Sequence, residues 1–208
     1  MLDQMNWLAH LYLSEPTAEY RLGNLLPDFA RPSEFGPLPP EIMAGVECHG
    51  MIDSFTDSHP VFRRSVNRIP APHRRFGGII IDVFYDHLLT ANWPNFSPVP
   101  LQEFVSAFYQ ALPQFDAILS PEISLRFRQM READILNSYQ TLDGVETALA
   151  RIARRLQKKF PLELAVAGLR SNYDSLRSDF DSFFPELRER VVQFQETQRR
   201  RNGVTLKN

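Results

Sequence analysis

The sequence predicts an all-α protein, folded as a single compact multi-helix bundle. Three observations carry that expectation. Between the prolines, apolar residues recur at three- and four-residue spacing, the period of a helix with one buried face. The prolines punctuate those segments at places where helices open or end. Only "GGIIIDVFY" has the short, β-branched character of a strand.

Taken in order, "MNWLAHLYLS" (residues 5–14) is a short, strongly apolar segment around His10. Residues 21–41 contain five prolines, two glycines and few periodic positions, and read as an irregular loop carrying Arg21 and Asp28. In "CHGMIDSFTD", His49, Asp53 and Asp57 follow one another at four-residue steps and so share one helical face. The run Ile79–Leu89 is apolar nearly throughout. Its β-branched opening suits a strand, but its continuation through Leu88 and Leu89 favours a helix, with Pro72 placed to open it. "NWPNFSPVP" (92–100) is a loop.

Three amphipathic segments follow. "LQEFVSAFYQAL" aligns Leu101, Phe104, Val105, Phe108 and Leu112, and "VETALARIARRLQKKF" aligns Val145, Leu149, Ile152 and Leu156. "DSLRSDFDSFFPELRERVVQF" continues in that style, with Pro185 at a kink or a helix start. The count is eight to ten helices in one domain over residues 1–197. A basic, flexible tail is expected over 198–208.

Composition narrows the class. The 208 residues suit one domain, and 16 Phe supply ample core. A net charge of −2 argues against a general nucleic-acid binder. A single cysteine, Cys48, forms no internal disulfide and fits a reducing compartment. No apolar run approaches the ~20 residues of a membrane span, and the N-terminus lacks the pattern of a signal peptide. The expectation is a cytoplasmic protein without a membrane partner.

Chemistry concentrates in the first 87 residues, which hold all five histidines. Asp82, Asp86 and His87 lie within the most apolar run of the chain. Burying even an uncharged polar group without a partner costs on the order of 2–7 kcal/mol, and a carboxylate more. Aspartates and histidines converging from several helices on a divalent cation would remove that cost. Mixed Asp/His ligation suits Mn²⁺, Fe²⁺ or Zn²⁺, and a carboxylate-rich set also admits Mg²⁺. Each residue also has a plainer reading. His10 alone reads as a hydrogen-bonded core histidine, Asp57 as a cap or turn residue, Asp28 as a loop acid, and Asp86 as an arginine's partner.

"MNWLAHLYLS", "GNLLPDF", "AGVECHGMIDSFTDSHP" and "IDVFYDHLL", in this order and spacing, resemble the acyl carrier protein phosphodiesterase family. The resemblance implies an all-helical, HD-like bundle, a divergent relative of the HD-type phosphohydrolases. It implies Mn²⁺-dependent cleavage of the phosphodiester between the serine of holo-acyl carrier protein and 4′-phosphopantetheine, with Mg²⁺ or Fe²⁺ also admitted.

Carried onto this chain, the motif residues are His10, Asp28, His49, Asp53, Asp57, Asp82, Asp86 and His87. His10, His49, Asp53, Asp82 and Asp86 are expected to hold metal, with Asp28, Asp57 and His87 in catalytic roles. Where the family pattern has a basic residue after the motif histidine, this chain has Gly50 and Met51. Arg21, Arg63, Arg64, Arg74 and Arg75 are the substitutes expected to meet the phosphate or an acidic carrier protein. A second cluster, Arg151, Arg154, Arg155, Lys158 and Lys159, reads as a solvated helix face. The competing functions are an HD-like phosphohydrolase on a small nucleotide and a non-catalytic carrier-binding module.

Overall fold

The computed structural model describes residues 6–155 and 161–205. Leu156, Lys158 and Lys159 of the sequence reading lie outside them, as does 206–208. The described residues form eleven α-helices joined by turns and short 3-10 segments, and no strand. They are α1 Trp7–Tyr12, α2 Ala18–Phe29, α3 Pro40–Ser58, α4 Pro60–Arg68, α5 Gly77–Ala91 and α6 Leu101–Ala111. These are followed by α7 Pro121–Glu132, α8 Ile135–Ser138, α9 Leu142–Arg155, α10 Val166–Ser171 and α11 Tyr173–Thr205. None of the described helices is long and apolar enough to cross a membrane.

Proline opens α3, α4 and α7 at the first helical positions, where its missing N–H costs nothing. The ambiguous run around Ile79 is the helix α5, and it is the axis of the core. Every residue from Ile79 to Thr90 is buried, so the helix shows no polar stripe. It begins at Gly77 rather than near Pro72, because His73–Phe76 form a 3-10 turn first.

Two boundaries differ from the sequence reading. The segment read as an irregular loop contains α2, with Pro27 inside its last turn, so Asp28 stands on a helix. The last helix also runs on past residue 197. Its Gln198 is buried, accepts from the Tyr20 hydroxyl at 2.8 Å and donates to the Ala44 carbonyl at 3.0 Å. Through Pro185, α11 continues unbroken for 33 residues.

Upstream, α11 is fastened to α4 by Asp179. This buried carboxylate accepts from Arg64, Arg68 and the Ser65 hydroxyl at 2.8–2.9 Å. Burial opposes its charge, but Arg68, Arg64 and Ser65 outweigh that and hold the carboxyl below its ordinary value. Asp179→Asn is expected to cost about 1–3 kcal/mol at neutral pH. The wild-type advantage is full above the unfolded aspartate value of about 3.9 and declines below it. It is gone once pH falls through the lower folded value. Urea unfolding of both proteins across that range checks this; a gap independent of pH would contradict it.

Candidate metal centre

The site is set by how closely α2 and α3 cross. A Cβ on Gly23 would sit 1.9 Å from the Ile42 carbonyl oxygen, and one on Gly45 would sit 2.2 Å from that of Tyr20. Only glycine permits backbones to approach so far. The approach brings the Asn24 carbonyl of α2 to 2.8 Å from Nδ1 of His49 on α3.

The helix α1 brings in His10. It has six residues and no side-chain cap of its own, so its first N–H groups need an outside acceptor. Asp86 of α5 supplies it: its two oxygens accept from Leu8 and Ala9 N–H, each at 2.9 Å. Burial pushes this carboxyl up, against the pull of the two N–H groups. Asp86 thus anchors α1, with one N–H on each carboxylate oxygen.

His10 Nδ1 lies 2.9 Å from Asn24 Oδ1. The rings of His10 and His49 stack with centroids 4.3 Å apart. Their Nε2 atoms meet Asp53, one turn beyond His49, at 3.3 Å for His10 and 3.0 Å for His49. Ligand atoms of His10, His49 and Asp53 all lie within 4.8 Å of one another. Burial opposes the charge on His49, yet the Asp53 carboxylate beside it, the Asp28 charge and the Asn24 carbonyl together raise its pKa. Burial likewise opposes ionisation of Asp53, and the two histidines overcome it, holding the carboxyl well below the usual range.

The surroundings suit a cation. His10 Nε2 and Asp53 Oδ1 are buried without a hydrogen-bond partner among the described residues, despite their 3.3 Å separation. Asp82, one turn before Asp86, is 1% exposed and neither of its oxygens has a hydrogen-bond partner among the described residues. Burial foremost, then the charges of Asp53, Asp57, Asp86 and Asp28, push its carboxyl far up. A carboxylate left in that position is stable only with a proton or a cation nearby. Two imidazole nitrogens and a carboxylate form the mixed N/O set that transition-metal dications favour. Asp28 is buried near this group, since its charge acts on both His49 and Asp82. Asp57 is exposed at the end of α3, on the same face as Asp53.

The family model for acyl carrier protein phosphodiesterase matches residues 5–187. The chain belongs to the acyl carrier protein phosphodiesterase family. Relatives named acyl carrier protein phosphodiesterase, from Escherichia coli O139:H28 (strain E24377A / ETEC) and from Escherichia coli strain K12 / DH10B, are each 34% identical over 188 residues. Those alignments cover 88% of this chain and 95% of each relative. No solved structure matches the chain significantly.

The other residues expected at the site of this phosphodiesterase family member have partners of their own. His87 is turned about a quarter of the helix away from Asp86. Its Nδ1 meets the Tyr139 carbonyl at 2.8 Å and its Nε2 meets the Tyr173 hydroxyl at 3.3 Å. Burial, with Arg170 nearby, lowers its pKa against the Tyr139 bond. Arg64 is committed to Asp179 at 2.7 Å. Arg74 donates to the Ile69 carbonyl, Arg75 lies over the Phe76 ring and Arg21 stacks on Phe104. Arg63 is exposed, with Nε donating to the Asp57 carbonyl at 2.9 Å, and so stands at the exposed end of the Asp53 face. Sequence reasoning passed over Asn24. It stood in the quoted "GNLLPDF" four residues before Asp28, a spacing that signals a shared face only once the segment is read as helix.

Proposed function

We propose that this protein hydrolyses the phosphodiester linking 4′-phosphopantetheine to the serine of holo-acyl carrier protein, and that it does so with Mn²⁺. The carrying observation is the convergence of His10 Nε2, His49 Nε2 and Asp53 within 4.8 Å, in a chain of this family. These three side chains would hold the ion, with the charge of Asp82 beside them. A divalent cation in such a site lowers the pKa of a bound water and neutralises phosphoryl charge.

The chain's own groups then have distinct tasks. Asp28, buried, takes the proton of the attacking water. Asp57, exposed at the end of the same α3 face, relays a proton from solvent water to the serine oxygen as the phosphorus–oxygen bond breaks. Apo carrier protein and 4′-phosphopantetheine are the products. Arg63, Arg74 and Arg75 form the surface that meets an acidic carrier protein, steering encounter in a salt-dependent way. Arg64 has a lesser part in this, because its guanidinium is spent on Asp179.

Incubation of holo-acyl carrier protein with enzyme and Mn²⁺, followed by mass spectrometry of the intact carrier, tests the reading. The expected result is loss of the whole phosphopantetheine group, abolished by a chelator. Unchanged holo carrier beside hydrolysed nucleotides would redirect the activity to a small substrate. Tight carrier binding without turnover would make the protein a binding module.

A further inference from the structure

The bonds around Asn24 converge from three sides. Its Nδ2 lies 2.9 Å from the His10 carbonyl and 2.9 Å from Ser14 Oγ. Ser14 Oγ spends its own proton on the His10 carbonyl at 2.8 Å, so toward Asn24 it accepts. Both neighbours of Nδ2 are thus acceptors, which fixes the amide: Nδ2 faces them and Oδ1 faces His10 Nδ1 at 2.9 Å. The Asn24 carbonyl, 2.8 Å from His49 Nδ1, is an acceptor by nature.

We infer that Asn24 is a positioning residue that fixes both histidines as the Nδ1–H form, His10 through its amide oxygen and His49 through its backbone carbonyl, so that both Nε2 lone pairs are left for an ion bound between them and Asp53. A metal-ligating imidazole needs its other nitrogen held as a donor, which sets both the tautomer and the ring plane. Here one fully buried residue does so for two ligands from different helices. The close crossing at Gly23 and Gly45 gives the carbonyl its reach to α3. The inference rests on His10 and His49 being metal ligands.

Its two halves separate by mutation. Asn24→Ala removes the amide oxygen and keeps the backbone carbonyl. NMR of the ¹⁵N-histidine-labelled, zinc-loaded wild-type protein is expected to show a slowly exchanging Nδ1–H on both rings and zinc on both Nε2 atoms. In Asn24→Ala the His10 Nδ1–H signal is lost to exchange while that of His49 persists. Zinc affinity by calorimetry falls about 10- to 100-fold, the usual cost of removing a ligand's outer partner. Asn24→Asp keeps an acceptor toward His10 and is expected to retain the His10 Nδ1–H, which serves as the test if the alanine variant fails to fold.

A His10 Nδ1–H unchanged in Asn24→Ala with affinity within twofold of wild type, or its loss in folded Asn24→Asp, would overturn the assignment. Zinc on Nδ1 of either ring in the wild-type protein would do the same. Wild-type protein that binds no zinc would instead remove the metal reading on which the inference stands.

Discussion

Asp53→Asn is expected to lower turnover of holo-acyl carrier protein by roughly a hundredfold or more. Losing even an outer partner of a metal ligand costs about 10- to 100-fold, and Asp53 is the carboxylate on which both histidines converge. The amide keeps the size and loses the charge. With that charge gone, two imidazole nitrogens face a neutral group, and the buried Asp82 carboxyl has less reason to share a cation with them. The side chain is 25% exposed on a helix, so the fold should survive. Initial rates at saturating Mn²⁺, with melting curves for both proteins, decide the matter. Near-normal turnover in a folded variant would place the chemistry elsewhere.

The second large effect is structural. Gly45→Ala would put a methyl 2.2 Å from the Tyr20 carbonyl oxygen and 2.8 Å from the Asn24 nitrogen. Both are backbone atoms of α2 and cannot swing aside, so the helices must part. The expected loss is about 3 kcal/mol or more, at or beyond the upper end for overpacking, and activity falls with it because Asn24 moves away from His49. Gly50, five residues on in the same helix, is the control. A Cβ there meets nothing within 4 Å. Gly50→Ala should therefore stabilise by about 0.5–1 kcal/mol, the helix preference of alanine. Paired denaturant melts test both substitutions; equal effects would mean that the close crossing does not govern stability.

The helical class was legible in the sequence because apolar spacing reports which face is buried, and α6 begins where Leu101 opens that pattern. Pro27 hid α2. A proline usually marks a boundary, and this one sits inside the last turn of the helix. A loop over that stretch would give Asn24 and Asp28 no common face; the helix does.

Residue type could bring acids and histidines to notice but could not assign their duties. Asp82 and Asp86 are alike in sequence, one helical turn apart in one apolar run. What separates them is α1, whose N–H groups occupy Asp86 and leave Asp82 with none. Likewise Arg64 reads as a free cation until α11 returns Asp179 to it from 115 residues away. Such distinctions arise from tertiary pairing and leave no local period in the chain.

If His10, His49 and Asp53 hold a divalent ion, equilibrium Mn²⁺ binding to purified protein depends on all three. Titrations followed by the electron paramagnetic resonance of free Mn²⁺ should show saturable binding in the wild-type protein. Binding should be lost or strongly weakened in His10→Ala, in His49→Ala and in Asp53→Asn, and preserved in His87→Ala, whose ring is bonded to Tyr139 and Tyr173 instead. Wild-type affinity in all three site variants, with the fold intact, would mean that these residues do not hold the ion.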